Sequence, residues 1–301
     1  MLEVLIRAAC FIGMILLGYV LKCVGLFKKE DFKILSKIVL KLTLPAAIIV
    51  SFAGSTIDPA MLTVTLLGFG GGVIYMVAAF LANLKRSRAQ RAFEVLNLPG
   101  YNIGCFTMPF AQSFLGPVGV ITTSLFDTGN AFVCLGGSLG VAQTIQEGRG
   151  LDLKRLFHTL LTSVPFLCYI IMTALNLAKI ALPAPILSFV GYIGNANAFL
   201  AMFMIGIGFE LHFEKHQLGS ILRVLTLRYA IAAALALVFY YTLPLSQEIR
   251  TTLVVLVFSP IGSAVPAFTE EMKGDVALSS TINSICMIIS IVIMVAMLAI
   301  L

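Results

Sequence analysis

Residues 101–130 read YNIGCFTMPFAQSFLGPVGVITTSLFDTGN, apolar enough to lie within a bilayer yet interrupted by Gly104, Pro109, Gly116, Pro117 and Gly119. Proline removes a backbone donor and crowds the preceding turn, so no single regular helix runs through this stretch. Asp127 is the only carboxylate deep inside an apolar segment, and Asn130, three residues on, shares its helical face. Residues 259–283 repeat the plan. There SPIGSAVPAF carries Ile261-Gly262 and then Pro266, and a later helix bears Ser279, Ser280, Thr281 and Asn283. The two interruptions read as halves of one substrate site.

Hydrophobic residues make up 59% of the 301 and charged residues only 11%, and the mean hydropathy is +1.03. A soluble fold would expose too much of this apolar surface, so the chain reads as an integral membrane protein. The opening MLEVLIRAACFIGMILLGYVLK shows no basic leader and no small-residue cleavage site before Lys22, and reads as a retained first transmembrane helix. Cys10, Cys23, Cys105, Cys134, Cys168 and Cys286 are scattered singly, which suits packing rather than a disulfide set or a metal site. Apolar runs of about 17–25 residues suffice to cross a bilayer. They fall near residues 2–22, 34–54, 60–83, 118–142, 155–180, 184–209, 220–243 and 275–301, with two shorter Gly/Pro-interrupted runs near 98–116 and 249–268. Continuous runs of this kind exclude a β-barrel, whose strands alternate. The expected fold is all-α with ten transmembrane helices.

Of the 20 Lys and Arg residues, only Arg7, Lys179 and Arg250 fall outside the odd-numbered loops and their flanks. Cytoplasmic loops retain positive charge during insertion, which places both termini outside and explains the net charge of +6 without nucleic acid. Lys41 and Arg228 fit least well and must snorkel or face a polar cavity. Ten helices with both ends outside divide into two five-helix repeats of opposite orientation, residues 1–142 and 156–301, joined by the polar cytoplasmic linker QTIQEGRGLDLKR at 143–155. Two ordered matches support the repeat. Leu35-Ser36 with Pro45 corresponds to Leu187-Ser188 with Asn197, and Ile103-Gly104 with Pro109-Phe110 corresponds to Ile261-Gly262 with Pro266 and Phe268.

Leu17-Gly18-Tyr19 leading to Gly25-Leu26, Leu44-Pro45, Asn102-Ile103-Gly104 with Pro109, and Phe126-Asp127 with Asn130 resemble, in this order, the auxin efflux carrier family in its bacterial, malate-permease-like form. The resemblance covers essentially the whole chain. It implies a fold similar to the bile acid sodium symporters, with the fourth and ninth helices broken and crossing near the membrane centre. It also implies a scaffold of the first, second, sixth and seventh helices, through which a homodimer forms, and a moving bundle of the rest. Where many members carry a proline in the seventh helix, this chain has Asn195 and Asn197.

The chemistry follows from the breaks. A half-helix N-terminus carries about half a positive charge and free N–H donors, and so can hold a carboxylate without a buried Lys or Arg. Gly104 and Gly262 let the crossing backbones approach, while Pro109, Pro260 and Pro266 define the breaks. Asn102, Asn130, Asn283 and Ser263 supply polar groups for a small polar substrate, and the expected binding set is these four with those two glycines and three prolines. An unpaired Asp127 near mid-bilayer would cost at least about 2.5–3.5 kcal/mol, so it reads as the proton or Na⁺ coupling residue. His212 and His216, four apart with Glu210 and Glu214, read as a solvated helix end rather than a zinc site. The basic run at 85–91 suits topology and lipid headgroups, and Gly70-Gly71-Gly72 suits close helix packing. No nucleophile with a base, phosphate loop or cofactor motif points to an enzyme. The expectation is a secondary transporter of small organic anions in the inner (plasma) membrane. A Na⁺-coupled symporter of bulkier anions and a non-transporting receptor on the same fold are the alternatives.

Overall fold

The computed structural model describes residues 2–53, 57–148, 150–211 and 217–301. All regular structure among them is helical. In chain order the helices are α1 (Leu2–Cys23), α2 (Asp31–Ala53), α3 (Pro59–Ala82), α4 (Arg88–Asn97), α5 (103–114), α6 (Gly116–Glu147), α7 (Leu153–Thr162), α8 (Val164–Leu177), α9 (Ala184–Gly208), α10 (Leu218–Thr242), α11 (Gln247–Val257), α12 (Val265–Glu271) and α13 (Val276–Ile300). At 1.5 Å per residue a crossing needs about 20 apolar residues. Seven of these helices, α1, α2, α3, α6, α9, α10 and α13, are long and apolar enough, and α7 with α8, bent by 71°, makes up to an eighth. The remaining pairs, α4 with α5 and α11 with α12, are each divided by an unwound segment.

The first of these divided passages starts earlier than the run near 98–116 predicts. Ser87 accepts a hydrogen bond from Gln90 N–H and caps α4, so the helix begins within the basic run. Arg91 turns back to donate to Leu84 O at 2.6 Å, leaving a hydrophobic face that buries Ala92, Val95 and Leu96. Amphipathic periodicity thus extends into a stretch whose charge suggests a loop. Pro109 also lies elsewhere than expected. The chain is unwound at 98–102, whereas Pro109 sits inside α5, after a wide π-helical turn at Ile103–Thr107. There Met108 N–H bonds Ile103 O, and this looser register absorbs the proline. Pro266 does open α12 in its first turn, and Pro260 lies in the gap before it.

The helices pack in two groups. In one, α1 lies along the second half of α9, and the second half of α2 packs on α8 and the first half of α9. In the other, α3 packs on the first half of α6, α4 on its last turns, α10 on α11, and α12 on α13. Contact between α3 and α6 is backbone to backbone. A Cβ added to Gly129 would sit 1.8 Å from Thr65 O, and one added to Gly68 would sit 2.0 Å from Phe126 O. Small residues at such seams let membrane helices approach closely, and this seam fixes the helix that carries Asp127. Gly71 and Gly72 also meet neighbours, Tyr101 and Val133, while Gly70 faces open space. Gly129→Ala is expected to destabilise by about 1–3 kcal/mol through overpacking, seen as a lower thermal unfolding temperature in detergent. Gly70→Ala serves as the control and should cause no loss.

Candidate functional site

Unwinding a helix inside a membrane releases backbone groups that only protein or water can satisfy. Here the two unwound segments, 98–102 and 258–264, lie against each other and are bonded together. Asn102 N–H donates to Pro260 O at 2.8 Å, and Thr107 Oγ1 donates to Ser259 Oγ at 2.7 Å. Two asparagines hold the segments from behind. Asn130 accepts from Tyr101 N–H at 3.0 Å and donates to Tyr101 O at 2.8 Å, and Asn283 donates to Gly262 O at 2.9 Å. Both amides are buried.

Beside the crossing lies a cavity of about 270 Å³. Of the residues expected from the sequence, it gathers Asn102, Gly104, Asp127, Asn130, Gly262 and Ser263 along its wall. Pro109, Pro260, Pro266 and Asn283 are not on that wall: the prolines shape the chain nearby, and Asn283 acts on the backbone of Gly262. Asp127 Oδ1 accepts from Asn130 Nδ2 at 2.8 Å and Oδ2 from the Tyr169 hydroxyl at 3.0 Å. Asn102 is only 5% exposed, yet its Nδ2 donor has no partner. It stands at the start of α5, where the first N–H groups of a helix have no intrahelical acceptor. A buried donor left open costs about 1–3 kcal/mol.

Two lining residues outside the expected set matter. Tyr169, 1% exposed on α8, reaches across from the other helix group to bond Asp127. Lys41, on the π-helical turn Val39–Thr43 of α2, stands at the exposed edge of the cavity. Its position as a lone cation near the end of an apolar run was the available signal. No periodicity pointed to Tyr169.

On the far side of the crossing is a second cavity of about 450 Å³, lined among others by Ser51, Gln112, Pro117, Gly194 and Asn195. Asn197, fully buried, lies between the two helix groups: it accepts from Thr43 Oγ1 at 3.0 Å and donates to Gln112 Oε1 at 3.3 Å. Asn195 is exposed. Arg228 neither snorkels nor faces a cavity. It is 1% exposed, with its guanidinium against backbone carbonyls. His212, Glu214 and His216 lie outside the described residues.

A chain of apolar spanning helices around a small polar cleft is the form of a multi-pass membrane transport protein. Residues 4–142 match the family described as "Membrane transport protein". Over that region the chain is similar to this family, as the resemblance to auxin efflux carriers leads one to expect. It is also 23% identical over 236 residues to an uncharacterized transporter of Methanothermobacter thermautotrophicus, an alignment covering 76% of each chain. Family and relative both indicate a transporter rather than an enzyme.

Asn130→Ala strips partners from Tyr101 N–H and C=O and from Asp127 at once. Tyr101 N–H is then left open at a cost of about 1–3 kcal/mol, which should lower the unfolding temperature in a detergent melt. Asn195→Ala, at an exposed position, should stay within about 0.5 kcal/mol of wild type.

Proposed function

We propose that the chain is a secondary transporter that carries small organic anions, mono- or dicarboxylates such as malate, across the membrane by alternating access. The observation that carries this reading is the cavity between the two unwound segments, whose wall holds Asn102 at the start of α5 together with Asp127. A carboxylate there would take up Asn102 Nδ2 and the first N–H groups of α5 together, with Lys41 drawing the anion to the cavity edge. The cavity volume of about 270 Å³ lies at the small end of ligand sites. That favours a small acid over the bulky anions of the alternative reading, and auxin-like acids stand near its limit.

The same cleft suggests how transport is coupled. An anion brought beside an ionised Asp127 would place two like charges in a partly desolvated space, so binding is favoured when Asp127 carries a proton. Both of its oxygens already accept from Asn130 and Tyr169. Those are donors, not the oxygen acceptors that would enclose a sodium ion, and they argue against Na⁺ as the coupling ion. Because Tyr169 and Asp127 belong to different helix groups, their bond ties proton occupancy to the position of one group against the other.

The architecture we assign to this cycle is two inverted five-helix repeats, residues 1–142 and 156–301, joined by a cytoplasmic linker at 143–155. The fourth and ninth passages (α4/α5 and α11/α12) form the crossing, and both termini lie outside. The paired breaks, and Asn130 on α6 and Asn283 on α13 each bonding one of them, support it. In that frame the cavity beside Asp127 opens to the cytoplasm, and the Thr43–Asn197–Gln112 hydrogen bonds separate it from the cavity on the outer side. α1, α2, α8 and α9 form the scaffold, whose exposed faces are where a homodimer would form in the cell membrane.

Uptake of labelled malate, other small carboxylates and indole-3-acetate into proteoliposomes, under separately imposed pH and Na⁺ gradients, tests the reading. Malate flux should follow the pH gradient and ignore Na⁺. Asp127→Asn should bind malate yet lose the pH dependence, and Asn102→Ala should weaken malate binding at least tenfold while leaving the unfolding temperature near wild type. Flux driven by Na⁺ would sink the proton assignment, and ligand binding without any flux would replace the transporter with a receptor.

A further inference from the structure

Arg228 lies midway along α10 and heads the fully buried side chains by size. A cation there would cost several kcal/mol unpaired, yet among the described residues no carboxylate pairs with it. Its partners are backbone. Nη1 donates to Leu98 O at 2.5 Å, and Nη2 donates to Gly100 O at 2.9 Å and Ser259 O at 2.7 Å. Leu98 and Gly100 follow the C-terminus of α4, and Ser259 follows that of α11. The guanidinium also lies 5.0 Å from the ring centre of Tyr75 and 5.6 Å from that of Tyr101.

The charges balance. A helix C-terminus carries about half a negative charge, so two converging ends present about one. One guanidinium cancels it, and its planar fork reaches three carbonyls that a single ammonium could not satisfy together. Three converging carbonyls in a dry site are otherwise what a bound alkali ion would require. We propose that Arg228 is a tethered counter-cation for the crossing, filling the place of a diffusible cation, so that the crossing assembles without sodium. Arg228 is then a positioning residue. It holds Gly100 and stacks on Tyr101, and so sets the segment that presents Asn102 to the anion cavity on the opposite side. The effect on anion affinity rests on the transport reading above. Cation independence of the crossing does not.

The test uses the full chain in detergent, with thermal unfolding followed in sodium, potassium and choline chloride at equal ionic strength for wild type, Arg228→Ala and Arg228→Lys. Wild type should unfold at the same temperature in all three salts. Arg228→Ala should unfold several degrees lower, and millimolar guanidinium, well below its denaturing range, should restore at least half of that loss where choline restores none. Arg228→Lys should fall between the two and not respond to guanidinium. In the rescued Arg228→Ala protein, malate affinity should recover with guanidinium. A failure of that last readout alone overturns the link to Asn102, while absence of malate binding in wild type bears on the transport reading and leaves the unfolding series decisive. Stability of wild type that depends on sodium would overturn the proposal, as would an Arg228→Ala protein as stable as wild type or equally restored by choline. If Arg228→Ala does not fold, the wild-type salt series and Arg228→Lys still decide it.

Discussion

Two helices that stop and restart among apolar spanning helices create a polar centre that an apolar surrounding cannot satisfy. Everything else in the structure answers that constraint. The bond from Asn102 N–H to Pro260 O joins the two unwound segments. From neighbouring helices, Asn130 bonds both backbone groups of Tyr101 and Asn283 bonds the Gly262 carbonyl. Hydrogen bonds of this kind contribute about 1 kcal/mol each when made, and the penalty for leaving them open is larger. The crossing is therefore held less by any strong contact than by the cost of every alternative.

The crossing has two electrically distinct sides. Helix ends that present carbonyls converge on Arg228, deep among Tyr75 and Tyr101. The start of α5 and the unwound Gly262–Ser263 segment face the cavity with Asn102 and Asp127. In the transport cycle we propose, the positive pole of a half-helix would serve the anion, while the carbonyls at the negative pole are bonded by Arg228. Asp127 then stands among donors, where its charge can be switched without leaving a buried cation unpaired.

Packing gives the centre its two frames. α3 and α6 meet through Gly68 and Gly129, so closely that no side chain fits between them. Across the divide to α1, α2, α8 and α9, the polar contacts include Tyr169 to Asp127, Asn197 to Gln112 and Arg7 to the Ser113 carbonyl. A tight seam within one group and exchangeable bonds between groups are what relative movement of two rigid bodies needs.

Composition and hydropathy alone determined that this chain lives in a membrane and is all helical, because apolar runs of spanning length have no other stable use. That two passages are broken, Asp127, and the placing of Asn130 on its face were also legible, since glycine, proline and a lone intramembrane carboxylate act through local backbone and charge. The position of the first break was not. Helix α4 begins inside a basic run, and Pro109 sits within α5, because a serine cap and a π-helical turn outweigh what charge and proline suggest. Tyr169, Lys41 and the role of Arg228 were decided only by tertiary structure. Each acts on a partner far away in sequence, Asp127, the shared cavity, or the carbonyls of Leu98, Gly100 and Ser259. A side chain's meaning in a membrane depends on which backbone groups the fold leaves open beside it, and that is known only once the helices cross.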